Sequence, residues 1–128
     1  MNAIETKVTM SFADAEAAIR DALGTQGFGI LTEIDVAANL NAKLGTSRPP
    51  LKILGACNPH LADQALNIDP TVSLLLPCNV VLEAVAGGTR VAAADPRELM
   101  TDPAFAKLAG DAAAQLQTAI DQLASAAD

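Results

Sequence analysis

Alternating polar and apolar residues open the chain. Ile4, Thr6, Val8 and Met10 alternate with polar neighbours, which predicts a half-buried first strand that ends at Met10. Helical spacing then takes over, with Ser11 as the cap and apolar residues recurring up to Gly27. A second strand is predicted over residues 27–34, with Phe28, Ile30 and Ile34 on one face.

Cap residues punctuate the rest of the pattern. Asp35 is predicted to cap a second helix that ends at Gly45, and a short strand, Leu51 to Cys57, precedes a third helix capped by Asn58. The apolar run 72–85 contains Pro77, which implies a bulge, an edge or a bend. A hairpin turn is predicted at Gly87-Gly88, and a last helix is expected to begin at Asp102-Pro103.

This order of elements forms a single domain over residues 1–128. Helices alternate with strands and no linker or repeat interrupts them, which predicts an α+β domain with a mixed or largely antiparallel sheet. The runs 74–76 and 80–82 do not alternate, so both faces of this part of the sheet should be covered. A second copy of the chain is the simplest cover, and a homodimer is expected; a ligand at the exposed apolar face is the alternative.

Composition narrows the classes of function. Hydrophobic residues make up 51% of the chain, but aromatic residues only 2%, and the net charge is −7. Few stacking rings and a repulsive field argue against nucleic acid and anionic membranes as partners. The polar N-terminus resembles neither a signal peptide nor a membrane span, which favours a cytoplasmic protein. No nucleotide-binding motif is present.

Three stretches of sequence resemble one known family. They are Gly27-Phe-Gly-Ile-Leu-Thr-Glu-Ile-Asp35, Ile53-Leu-Gly-Ala-Cys-Asn-Pro59 and Leu74-Leu-Leu-Pro-Cys-Asn-Val80. The pattern is similar to that of the domain of unknown function 302 family, over about residues 4 to 124. The resemblance implies a two-layer α+β fold with a curved, mostly antiparallel sheet, akin to the TATA-binding-protein-like fold and commonly dimeric. It implies no settled activity.

Two Cys-Asn pairs and the only histidine are the candidate chemistry. Cys57 and His60 have C-x-x-H spacing at a helix start, and Cys78 is a potential third ligand, a set that would suit zinc, copper or haem iron. Two alternatives stay open: a thiol-based redox protein, or cysteines that are simply buried in a structural or interaction module. The two thiols are expected to be close but not disulfide-bonded.

Further polar residues stand near these candidates. Asn58 and Asn79 follow the two cysteines, and Glu33 and Asp35 project on one side of their strand as a conceivable acid/base pair. Asp35 and Asn58 already have assignments as helix caps, and Glu33 lies next to the end of its strand, where solvent exposure is ordinary. The leading hypothesis is therefore a non-enzymatic, homodimeric binding domain that holds a small apolar or metal-containing ligand near Cys57, His60 and Cys78.

Overall fold

A computed structural model describes residues 1–127 of the chain. The strands are β1 (Ala3–Val8), β2 (Gly29–Asp35), β3 (Leu51–Cys57), β4 (Cys78–Val85) and β5 (Gly88–Ala94). The helices are α1 (Phe12–Thr25), α2 (Val36–Leu44), α3 (Pro59–Ile68), α4 (Pro96–Leu99) and α5 (Ala106–Ala126). Two short 3₁₀ turns cover Pro70–Leu75 and Pro103–Phe105.

The strands form one antiparallel sheet in the order β1-β5-β4-β3-β2. Helices α1 and α5 pack against each other, and their apolar residues share one core with the sheet. Along β3 and β4 the helix-facing residues Leu54, Val80 and Leu82 are fully buried, whereas Ile53 and Val81 between them are half-buried. The predicted two-layer α+β fold is confirmed, with one sheet face toward the helices and the other open.

The structure confirms the predicted helix caps. They could be predicted because each depends only on residues that are near it in the chain. Ser11 accepts a hydrogen bond from the backbone N–H of Asp14, Asp35 accepts one from Ala38, and Asn58 accepts one from Leu61. Gly45 ends α2 in the left-handed conformation, with φ of 70°.

The apolar run 72–85 is not a strand throughout. Asp69 accepts a hydrogen bond from the backbone N–H of Thr71 and begins the 3₁₀ turn at Pro70, which leaves Leu74 86% exposed. A cis peptide bond joins Leu76 to Pro77, and β4 begins only at Cys78. Within β4 buried and half-buried residues alternate, and the face that carries Val80 and Leu82 belongs to the core shared with the helices.

Smaller differences arise at turns and at a bulge. Strand β1 ends at Val8 and not at Met10, and the hairpin turn precedes Gly88, the first residue of β5. A bulge at Leu31 shifts the register of β2 against β3, so Ile34 pairs with Ile53 on the open face, away from the core that contains Phe28. None of the helices in residues 1–127 is long and apolar enough to cross a membrane.

Candidate functional site

A small apolar cavity lies beside the sheet, where β3 ends and β4 begins. It encloses about 30 Å³ between these strands, α3 and α5. We call it the cysteine cavity; its lining residues are Phe28, Ala56, Cys57, Asn58, Leu61, Ala62, Ala65, Leu76, Cys78, Met100, Leu108 and Ala112. A volume of this size has room for about two water molecules. A haem would therefore enter only if the cavity opened.

The cavity lies where two hydrophobic clusters meet. Phe28 and Ala56 belong to the main core, whereas Ala65 and Leu108 belong to a second cluster beneath α3 that also includes Leu61, Leu76 and Met100. Helix α3 has a single buried residue, Ala65. Because so few of its side chains are buried, α3 is the element whose displacement would enlarge the cavity at the lowest cost.

Both cysteines line the cavity, as free thiols on neighbouring strands. The register opposes Cys78 to Ala56, one residue before Cys57. Partners in the register share one side of the sheet, so Cys78 lies on the helix-facing side with Ala56, while Cys57 is the last residue of β3.

The environment of Cys78 disfavours its thiolate. Burial raises the pKa of the Cys78 thiol, and the nearby Cys57 raises it further. Reactive cysteines have the opposite environment, an electropositive and partly exposed one that lowers the pKa. This environment therefore suits Cys78 as an apolar residue of the cavity lining better than as a nucleophile.

His60 does not line the cavity. It is exposed on the first turn of α3, although Cys57 lies only three residues earlier. In residues 1–127 no group of three or more His, Cys, Asp or Glu side chains has an arrangement that could hold a metal ion.

Asn58 connects three helices beside the cavity. Its side-chain N–H₂ group donates hydrogen bonds to the carbonyl oxygen of Gln26, just after α1, and to Oε1 of Gln115 on α5, while its Oδ1 caps α3. Asn58 is 8% exposed, and these bonds satisfy its buried polar atoms. The sequence predicted the cap but not the hydrogen bond to Gln115. The signal for that bond is that Gln115 is a polar residue next to the apolar stripe of α5.

The other polar candidates serve separate parts of the sheet. Glu33 and Asp35 lie on the same side of β2, as predicted, but Glu33 forms ion pairs with Lys52 and Arg20 at 2.7 Å, whereas Asp35 caps α2. The pKa of Glu33 is lowered, mainly by its hydrogen bond with Lys52. Asn79 is exposed and pairs with Gly55. Glu33 and Asp35 therefore do not meet the cysteines in one site.

Comparison with known proteins places this geometry in a family. The family model described as "Domain of unknown function DUF302" matches residues 4–123. The crystal structure of an uncharacterized conserved protein DUF302 from Bacillus stearothermophilus is similar, with a TM-score of 0.86 and 28% sequence identity. The match covers 93% of this chain and 95% of that one. No match was found among curated proteins.

Proposed function

Since the chain belongs to the DUF302 family, for which no function is known, we propose from its geometry that it is a non-enzymatic binding domain for a small apolar ligand. The observation that carries this proposal is the cysteine cavity, whose lining is almost wholly apolar and lies between two hydrophobic clusters. Apolar lining with few polar groups is the usual character of small-molecule sites.

The chemistry of the lining selects the ligand class. Leu61, Leu76 and Met100 supply flexible apolar contacts, and methionine in particular adapts to irregular shapes. Asn58 has its side-chain groups engaged by protein partners. A neutral, apolar molecule would therefore enter at less cost than a charged one, which would lose its hydration without a compensating partner.

A thiol-based redox function has less support. The raised pKa of Cys78 reduces the fraction of thiolate at neutral pH, and the two cysteines are not direct partners in the register of β3 and β4. A transition-metal ion bound by Cys57, His60 and Cys78 would require His60 to leave its exposed position on α3.

A homodimer is the second part of the proposal. The register aligns Ile34, Ile53, Val81 and Ala92 in one row across four strands of the open face, and we call it the apolar row. Contiguous apolar surface of this kind is typical of interaction sites. A second copy of the chain would cover the row on both molecules by a two-fold axis.

The ligand is tested with a neutral probe and methyl NMR. Titration with 1-hexanol, which is larger than the closed cavity and would enter by displacing α3, should shift the methyl signals of Leu61, Leu76 and Met100 in a saturable way. Ala62→Leu fills the cavity from α3 and should weaken this binding, whereas Ala114→Leu, on the exposed face of α5, should leave it unchanged. Absence of saturable shifts at these methyl groups would contradict the proposal.

Metal binding is tested by a separate titration. Zn²⁺ and Cu(I) are titrated into the wild type, His60→Ala and Cys78→Ser. We expect no stoichiometric binding that depends on His60, and His60→Ala should change the free energy of unfolding by less than about 0.5 kcal/mol because the residue is exposed. One ion per chain, lost in both variants, would favour the metal ligand instead.

A further inference from the structure

A second, larger cleft lies at the opposite end of the sheet from the cysteine cavity. It has a volume of about 410 Å³ and lies between the start of α1, helix α2 and the loop 45–50. We call it the Arg48 cleft; its lining residues are Phe12, Asp35, Ala37, Ala38, Asn41, Thr46, Ser47, Arg48, Pro50 and Leu51. Small-molecule sites commonly have volumes of 300–1,000 Å³, so this cleft can hold a small organic molecule.

Arg48 lines the cleft without a carboxylate partner. Arg20, Arg90 and Arg97 each form an ion pair with a carboxylate, whereas Arg48 forms none with any residue of 1–127. In a chain with 15 acidic residues, an unpaired guanidinium is available for an external anion. Its planar donors match a carboxylate in a bidentate arrangement.

Thr46 supplies an independent observation at the same cleft. Its Oγ1 is buried, and within residues 1–127 it has no hydrogen-bond partner. A buried hydroxyl in this state is costly and calls for a partner, such as a bound molecule. Because the hydroxyl can donate as well as accept, an oxygen of a bound anion would satisfy it once a change of the Thr46 rotamer turned Oγ1 toward the cleft.

Charge and polarity restrict the anion. Arg48 is the single cationic residue of the lining, Asp35 is a carboxylate in the same lining, and the net charge of the chain is −7. A ligand with one negative charge is therefore favoured over a phosphate dianion. Phe12, Pro50 and Leu51 give the cleft an apolar wall for the rest of the molecule.

We propose that the Arg48 cleft binds a small monocarboxylate, with its carboxylate on Arg48 and Thr46 and its apolar part against Phe12 and Leu51. This site is separate from the cysteine cavity and does not depend on the function proposed for that cavity.

The test is an amide NMR titration of the intact chain with sodium hexanoate. We expect saturable shifts confined to the amides of residues 12, 35–41, 46–48 and 51. Hexylamine and inorganic phosphate are titrated in parallel, and both should bind more weakly than hexanoate. Shifts centred on Leu61 and Met100 would place hexanoate in the cysteine cavity and overturn this assignment, as would tighter binding of phosphate.

Three variants separate a specific site from a general effect of charge. Arg48→Gln should weaken hexanoate binding at least about tenfold, because hydrogen bonds to charged groups are lost. Lys43→Gln makes the same change in net charge outside the cleft lining and should alter the affinity less than about twofold. Equal affinity of the wild type and Arg48→Gln would overturn the proposal.

Thr46→Val separates binding from stability. It removes the unpartnered hydroxyl, so the melting temperature should stay equal or rise while hexanoate affinity falls. A lower melting temperature with unchanged affinity would show that the hydroxyl has a structural partner and would overturn its role in the site.

Discussion

Gly55 shows how a residue without a side chain permits the side chains of its neighbours to pack closely. A Cβ at this position would meet Oγ1 of Thr32 on β2 and Cγ of Pro77, which precedes β4. The side chains of Thr32 and Pro77 can therefore pack over β3 here only because Gly55 has no side chain. At Gly110 on α5, by contrast, a Cβ would have open space around it.

Gly55→Ala should destabilise the protein by about 1–3 kcal/mol, because the new methyl group overpacks a site that is already filled. Gly110→Ala should stabilise it by about 0.5–1 kcal/mol through the higher helix propensity of alanine. Urea denaturation followed by far-UV circular dichroism measures both, since the chain has no Trp or Tyr to serve as a fluorescent probe. A neutral Gly55→Ala would contradict the packing argument.

Residue-level chemistry also explains which features the sequence predicted. The caps at Ser11, Asp35 and Asn58 and the helix end at Gly45 depend on a few neighbouring residues, and the structure confirms each of them. The bulge at Leu31 and the partner of Asn58 on α5 depend on elements distant in the chain. No local pattern contains that information.

At the scale of elements, Asn58 and an ion-pair network hold the helices to the sheet. Asn58 joins the end of α1, the start of α3 and the middle of α5. Lys52 on β3 forms ion pairs with Glu16 on α1 and Glu33 on β2, both at 2.7 Å. Arg20 on α1 contacts the same two carboxylates.

Asn58→Ala should cost about 1–3 kcal/mol of unfolding free energy, because it removes a cap and leaves Oε1 of the half-buried Gln115 without its donor. Asn67→Ala is the matched control on the exposed side of α3 and should change stability by less than about 0.5 kcal/mol. If the two variants were equally stable, the bonds of Asn58 to α1 and α5 would contribute nothing measurable.

Because of the ion-pair network, we expect the free energy of unfolding to depend on pH. The pKa of Glu33 is lowered from its ordinary value of 4.5 in the folded state, so its contribution is complete above that value. The contribution disappears as the pH falls through the lowered pKa of the folded state. The stability difference between the wild type and Glu33→Gln should therefore shrink below pH 4.5, as measured by urea denaturation at several pH values. A difference that stayed constant would contradict this coupling.

The positions of the helices and strands along the chain were predicted better than the contacts between them. The order of the main helices and strands followed from periodicity, and the two cysteines lie on neighbouring strands as expected. The 3₁₀ turn at Pro70–Leu75 was missed because a short apolar run without alternation is compatible with either a strand or a helical turn. The proximity of Arg48 and Thr46 to Phe12 depends on how α2 and its loop fold back, which no motif encodes.

At the scale of the whole molecule, one face of the sheet is covered by helices and the other carries the apolar row. Next to this row lies a charged one, in which Glu83, Arg90 and Lys7 are successive partners across β4, β5 and β1. Glu83 and Arg90 form an ion pair at 2.9 Å. The open face thus combines an apolar row with an adjacent polar border, as protein interfaces commonly do.

Val81→Glu should convert the proposed homodimer into a monomer, because it would place a carboxylate in the centre of the apolar row. Ala114→Glu adds the same charge on the exposed face of α5 and should leave the mass of the particle unchanged. Light scattering at several protein concentrations measures both. A wild type that has the mass of a single chain at high concentration would refute the dimer.

The pairing of β1 with β5 has a consequence for the order in which the chain folds. Ile4 is the partner of Ala93, so this contact joins residues that are far apart in the chain, whereas β2, β3 and β4 pair with strands nearby in sequence. Closing a long loop costs more chain entropy than closing a short one, and non-local contacts slow folding. Strands β2, β3 and β4 can therefore pair early, while β1 gains its partner only after β5 has been synthesised. During synthesis β1 therefore has to remain unpaired until all of β5, Gly88–Ala94, has been made.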